Sequence, residues 1–68
     1  MITGPQIRAA RALIGWTAQD LADRALLSYP TVQRAETSPD VPSMKAPNLL
    51  AIQRALEGAG VVFLAEGE

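Results

Sequence analysis

The sequence predicts an all-α domain of four helices that ends in a short β-strand. Three observations support this fold class. Apolar residues recur at helical spacing in separate stretches, residues typical of helix N-caps stand before three of these stretches, and a short β-prone apolar run follows the last one. A chain of 68 residues has room for one domain, so we expect residues 1–68 to fold as a single unit.

The first helix is predicted over residues 4–14. Thr3, with Gln6 three residues later, matches the capping box that satisfies two backbone groups at a helix N-terminus. Gly15 is suited to the C-cap, and Trp16 follows it as an expected core anchor. The apolar residues between the two caps recur at helical spacing: Ile7, Ala10, Leu13 and Ile14.

Two short helices joined by a three-residue turn are predicted next. Thr17 is suited to the N-cap of a helix that ends near Arg24, and Ser28 to the N-cap of a helix that continues to about Thr37. Only residues 25–27 separate them. The pair is therefore a candidate helix-turn-helix unit over residues 17–37.

A loop, a fourth helix and an apolar tail complete the chain. Residues 38–47 contain three prolines and an aspartate, which is typical of an ordered loop. The fourth helix is predicted over residues 47–59, with Gly60 as its cap. A strand is predicted over 61–64, since its residues are β-prone and apolar: Val61, Val62, Phe63 and Leu64. It either folds back onto the fourth helix or pairs with the same strand of a second subunit, and we favour dimerisation through these residues.

Composition narrows the chemistry. The chain has no cysteine and no histidine, which removes disulfides, thiolate metal sites and the usual zinc ligands and general bases. Asp20 and Asp23 match first-turn acids that complement a helix dipole. We therefore expect no enzyme activity, no metal and no cofactor. No apolar run approaches the roughly 20 residues of a membrane span, so a cytoplasmic protein that does not enter membranes is expected.

The charge balance weighs against nucleic acid at first sight. The net charge is −1 and the pI is about 5.2, whereas phosphate binding usually shows as a basic patch. The charges are unevenly placed, however. Residues 1–45 carry five basic and four acidic side chains, a balance of +1, and residues 46–68 carry −2. The acidic end, with Glu66 and Glu68, is expected to lie away from DNA.

Three groups of residues stand in an order that is specific in combination. They are Ile7-Arg8-Ala9-Ala10-Arg11-Ala12-Leu13-Ile14-Gly15-Trp16-Thr17, then Asp20-Leu21-Ala22, then Leu27-Ser28 with Thr31-Val32 and Glu36. In this order they resemble the lambda-repressor-like (Xre-type) helix-turn-helix regulators, over residues 4 to about 63. The resemblance implies a DNA-binding domain whose third helix is the recognition helix and enters the major groove.

The resemblance places base contacts near the start and on the outer face of the third helix. Here those positions are Tyr29, Pro30, Gln33 and Arg34. Arginine can fork onto guanine O6 and N7, and glutamine can pair with adenine N6 and N7. Two roles remain open for Tyr29, a hydrogen bond to a phosphate or packing on a thymine methyl, whereas Pro30 can offer only apolar contact.

The resemblance also implies phosphate contacts and one structural ion pair. Thr17, Ser28 and Thr31 would offer hydroxyls and helix N-terminal amides to phosphate oxygens, and Lys45 would add a contact from the loop. Arg11 and Glu36 stand where the family has a partly buried ion pair between the first helix and the end of the recognition helix. These six residues complete the expected site.

Two positions depart from the family pattern. Ala18 stands where the second helix commonly opens with a phosphate-bracing glutamine, and Gln19 comes one place later. Leu26 stands where the turn commonly has glycine in a backbone conformation with positive φ. Either the turn differs, or Leu26 is retained for a contact.

We expect a sequence-specific DNA-binding transcriptional regulator, a homodimeric repressor or autoregulator of a bacterial or mobile-element operon. Its partner would be double-stranded operator DNA with a palindromic sequence. The alternative is a helix-turn-helix protein-interaction module, an antitoxin or antiactivator that acts on a protein partner. The acidic pI, Ala18, Leu26 and Pro30 favour this alternative.

Overall fold

The computed structural model describes residues 1–64, and four helices form within that part of the chain. They are α1 (Gly4–Leu13), α2 (Ala18–Ala25), α3 (Tyr29–Thr37) and α4 (Ala46–Gly58). The all-α prediction is confirmed, and each helix begins and ends within one residue of its predicted bounds. None of the four has the length and apolar character needed to cross a bilayer.

The N-terminal ends of the first three helices are closed by their own side chains. The Gln6 N–H donates to Thr3 Oγ1, and the Thr3 N–H donates to Gln6 Oε1 at 2.8 Å. Thr17 and Asp20 form the same reciprocal box on α2, and Ser28 caps α3. The sequence-predicted caps are therefore present. α4 differs, because Lys45 is its N-cap and provides no side-chain cap.

One core joins all four helices. Its buried apolar residues are Ile2, Ile7, Ala10, Leu21, Ala22, Ala25, Val32, Ala35, Leu49, Ile52 and Leu56. α2 packs on both α3 and α4, and α1 packs mainly on α3. Because α3 contributes only Val32 and Ala35 to this apolar core, most of its residues are exposed to solvent.

The start of α1 lies against the end of α3 at very short range. A Cβ added to Gly4 would lie 2.0 Å from the Ser38 carbonyl oxygen and 2.8 Å from that of Ala35. The Gly4 N–H donates to the Asp40 carbonyl oxygen at 3.1 Å. This approach is possible only because residue 4 has no side chain.

The predicted strand over 61–64 is not formed, since those residues have no regular structure. The segment folds back instead, with Val61 and Phe63 half-buried against the core. Val62 and Leu64 alternate with them and are exposed, at 78% and 76%. Pairing with a second subunit stays a prediction. Glu66 and Glu68 lie outside the described residues.

Candidate nucleic-acid interface

α3 has one face turned to the core and one turned to solvent. Val32, Ala35 and Glu36 are buried. Pro30, Gln33 and Arg34 are exposed and stand at positions i, i+3 and i+4, so they share one surface. Three of the four residues that the sequence predicts to contact bases therefore lie together on a single face, which we call the outward face of α3.

Tyr29 lies at the edge of this outward face. Its side chain is 40% exposed and lies on the side of α3 that carries Glu36, toward α1. Tyr29 is therefore the least outward of the four predicted base contacts.

The Arg34 and Gln33 side chains form no hydrogen bond or ion pair within residues 1–64. The three arginines that precede Arg34 behave differently. Arg8 donates to the Glu36 carbonyl oxygen, Arg11 pairs with the Glu36 carboxylate, and Arg24 lies over the Trp16 ring at 5.2 Å from its centroid. The outward face of α3 therefore carries donors that no other part of the described chain uses.

The expected ion pair between Arg11 and Glu36 is present. Arg11 Nε donates to Glu36 Oε2 at 2.7 Å, and its Nη2 donates to Oε1 at 3.1 Å. A third donor of the guanidinium reaches the Trp16 carbonyl oxygen at 2.9 Å. Since Glu36 is only 6% exposed, this bidentate pair keeps a buried carboxylate satisfied and fixes α3 against α1.

A groove runs between α3, the α3–α4 loop and the start of α4. It has a volume of about 560 Å³. Thr31, Arg34 and Lys45, all predicted from the sequence, line it together. Ser43 and Asn48 also line it and were missed. Their only sequence signal is a polar side chain inside or just after a proline-containing loop, a pattern that is common in loops without function.

The start of α3 presents few hydrogen-bond donors. Pro30 has no N–H, and the Thr31 N–H donates to Ser28 Oγ at 3.3 Å. The Ser28 and Thr31 hydroxyls lie 2.8 Å apart and form a hydrogen bond. This bond uses one of their two protons, so one hydroxyl proton is left to donate to a ligand. The predicted phosphate contacts of Ser28 and Thr31 therefore depend on that single proton and on the Tyr29 N–H.

The start of α2 carries a negative charge. The Asp20 carboxylate accepts the Thr17 N–H at 2.9 Å, and this backbone hydrogen bond, with a second one to the Thr17 side chain, lowers the pKa of Asp20. The carboxylate is therefore ionised near neutral pH and repels a phosphate at the same place. Thr17 is also absent from the groove lined by Arg34 and Lys45.

The turn between α2 and α3 keeps left-handed geometry without a glycine. Leu26 has φ 59° and ψ 40° and is the one non-glycine residue with positive φ among those described. This conformation costs a leucine roughly 1 to 2 kcal/mol. The side chain is also 91% exposed, so no packing within the described chain offsets that cost. The turn is therefore not altered to accommodate the leucine, and the alternative that remains is that Leu26 is retained for a contact.

Comparison of the chain with models of known families, with curated proteins and with solved structures finds no significant match in any of the three. Within residues 1–64, no group of three or more acidic side chains is placed to hold a metal ion. The geometry of α3 and its surroundings is therefore the basis for inferring a function.

Proposed function

We propose that the protein is a sequence-specific DNA-binding transcriptional regulator. One observation carries the proposal: the outward face of α3 presents Gln33 and Arg34, whose donors have no partner within residues 1–64, on a helix whose opposite face is fixed in the core. The major groove is wide enough to admit a helix, and side chains on the helix read the bases through hydrogen bonds to their edges. A fixed helix with unused donors on its exposed side meets both requirements.

The two side chains are suited to different bases. Arg34 can donate two parallel hydrogen bonds to O6 and N7 of guanine, and Gln33 can donate to N7 and accept from N6 of adenine. They are adjacent in sequence, so they would address neighbouring base pairs. Each such contact discriminates against a wrong base by about 1 to 3 kcal/mol.

The groove beside α3 supplies the contact to the DNA backbone. Lys45 is exposed at the N-terminus of α4, where no side chain caps the helix, and Arg34 lies on the same groove. A phosphate placed there would meet the Lys45 ammonium and the Ala46 N–H. Pro47 has no N–H, and the next two backbone amides already donate to the Lys45 carbonyl oxygen. Binding depends on this local arrangement, because the net charge of the chain is −1.

A homodimer would extend the interface to two half-sites. Two copies related by a two-fold axis would present two α3 helices about 34 Å apart to a palindromic operator. The exposed side chains Val62 and Leu64 are an apolar surface on which the second copy would pack. Repression of its own operon follows in this proposal from the resemblance to Xre-type regulators, and a cytoplasmic location accompanies it.

The test starts with selection of a duplex from a random-sequence DNA pool by the purified full-length chain. The enriched duplex is then titrated at two salt concentrations. We expect binding that weakens steeply as salt rises, because released counterions drive phosphate contacts. Arg34→Ala should cost about 1 to 3 kcal/mol and relax the preference at one base pair.

Arg54→Ala is the matched control, since Arg54 is exposed on α4 and has no side-chain partner within residues 1–64. It removes the same charge from another face. If both variants lost the same DNA affinity, the loss would be explained by net charge alone, and this result would contradict base contacts from the outward face of α3. Failure to enrich any duplex would contradict DNA binding itself.

Leu26 favours a second candidate function, a protein-interaction module of the antitoxin or antiactivator kind. A leucine in a left-handed turn with its side chain in solvent carries backbone strain and an exposed apolar group at one place. Both would be retained if a protein partner buried that side chain. A partner that co-purifies with the wild-type chain but not with Leu26→Gly, together with absent DNA enrichment, would favour this function.

A further inference from the structure

The first turn of α3 faces outward with an apolar ring. Pro30 is exposed at the second position of the helix and has no N–H to donate. The next two backbone amides are already used, since the Thr31 N–H donates to Ser28 Oγ and the Val32 N–H to the Ser28 carbonyl oxygen. The Pro30 ring itself therefore offers carbon and no hydrogen-bond donor, and the donors left in this turn are the Tyr29 N–H and one hydroxyl proton of the Ser28 and Thr31 pair.

Pro30 also shares its surface with the predicted base readers. It precedes Arg34 by four residues, which places the two side chains on the same side of α3 and about 6 Å apart along the helix axis. Successive base pairs are stacked about 3.4 Å apart. If Arg34 contacts a base, Pro30 therefore lies within about two base pairs of that contact.

Among the groups that the four base pairs display in the major groove, the thymine C5-methyl is the apolar one. A polar base edge buried under a proline ring would lose its water and gain no partner, which is unfavourable. We propose that Pro30 is a specificity-determining residue that packs on a thymine methyl near the base pair read by Arg34. This inference rests on the proposed DNA-binding function.

A helix start accounts for a proline at this position, but not for its place beside the predicted base readers. Pro5 and Pro47 occupy the same second helical position in α1 and α4, so the chain uses proline generally to open helices. Only the proline of α3 shares a face with Gln33 and Arg34. Pro47 is exposed as Pro30 is, which makes it a matched control for the loss of a proline at this position.

The experiment uses the duplex enriched from the random pool, with each thymine replaced in turn by deoxyuridine. This change removes one methyl group and leaves every hydrogen-bonding atom in place. At one thymine per half-site, within about two base pairs of the guanine whose replacement removes the Arg34 contribution, we expect Kd to rise about fourfold, the value for one buried methyl.

The Pro30→Ser variant should bind the thymine and deoxyuridine duplexes equally, because its side chain has no apolar ring to place on the methyl. Pro47→Ser should keep the fourfold difference. Circular dichroism of both variants establishes that each is folded before binding is compared.

Two results would overturn the inference while the proposed function stands. One is a duplex bound in an Arg34-dependent manner whose Kd no single deoxyuridine changes. The other is a methyl dependence that persists in Pro30→Ser, which would assign the contact to another residue such as Tyr29. If no duplex is enriched, the DNA-binding function itself fails, and this inference fails with it.

Discussion

The two ends of α3 differ in almost every physical respect. At its C-terminal end, the helix is closed by α1: Gly4 approaches the backbone of residues 35–38, and Arg11 pairs with the buried Glu36. At its N-terminal end, Pro30 and the strained Leu26 are open to solvent. Packing is concentrated at one end and exposed chemistry at the other.

This difference shows how a very small domain can hold a helix firmly against its core and still expose side chains of that helix to a ligand. Stability requires that buried polar groups be satisfied and that backbones pack closely, and the C-terminal end of α3 meets both requirements. Recognition requires unsatisfied donors and accessible apolar groups, which the other end and the outward face supply. Substitutions at the closed end should therefore change folding, and substitutions at the open end should change binding.

The largest effect is expected for Gly4→Ala. The new methyl would lie 2.0 Å from a backbone oxygen that cannot rotate away, so α1 and α3 must separate. We expect a loss of at least about 3 kcal/mol in the free energy of unfolding, measured by urea denaturation. Gly58→Ala is the control, since nothing lies within 4 Å of its added Cβ, and it should not destabilise. A Gly4→Ala variant that is folded and as stable as the wild type would contradict the close approach of Gly4 to the backbone of residues 35–38.

A smaller loss is expected for Arg11→Met, which removes the charge that satisfies Glu36 and keeps much of the apolar stem. Loss of one partner of a fully buried pair typically costs about 3 to 5 kcal/mol. Because the Arg11 side chain is 25% exposed, we expect about 2 to 3 kcal/mol by urea denaturation.

The double variant Arg11→Met with Glu36→Leu should recover most of that stability, because no buried charge is then left alone. Arg54→Met, on an exposed part of α4, should be neutral. If the single and double variants were equally unstable, the pair would matter through shape and not through charge.

The smallest effect has the opposite sign. Leu26→Gly relieves the left-handed backbone and loses no packing, so the free energy of unfolding should rise by about 1 kcal/mol. A rise in thermal midpoint with unchanged DNA affinity would place Leu26 outside the interface. A fall in stability would mean that the exposed leucine has a contact within the chain.

The sequence predicted the fold closely where local chemistry decides it. Thr3, Thr17 and Ser28 are caps whose partners lie three residues away, so short-range patterns were sufficient to place three helices. The Arg11 and Glu36 side chains are 25 residues apart in the sequence, and their ion pair was predicted only from the family resemblance.

Other features could not be seen in the sequence because they are created by folding. The need for Gly4 arises from the backbone of residues 35–38, and the burial of Ile2 from elements far along the chain. The groove that joins Arg34 to Ser43 and Asn48 exists only once the loop has packed. The tail was predicted as a strand from β-propensity alone, which favours an extended segment but does not provide a neighbour to pair with.

The hydrogen bond from Gly4 to Asp40 also restrains the α3–α4 loop, which carries Ser43 and Lys45. This loop is attached at its middle to the first turn of the chain, Pro42 is buried, and the Met44 N–H donates to the Pro42 carbonyl oxygen at 3.0 Å. A segment already fixed at several points loses little conformational entropy when a ligand binds to it. The groove beside α3 is thus preorganised, so contacts made there would contribute to affinity with little ordering cost.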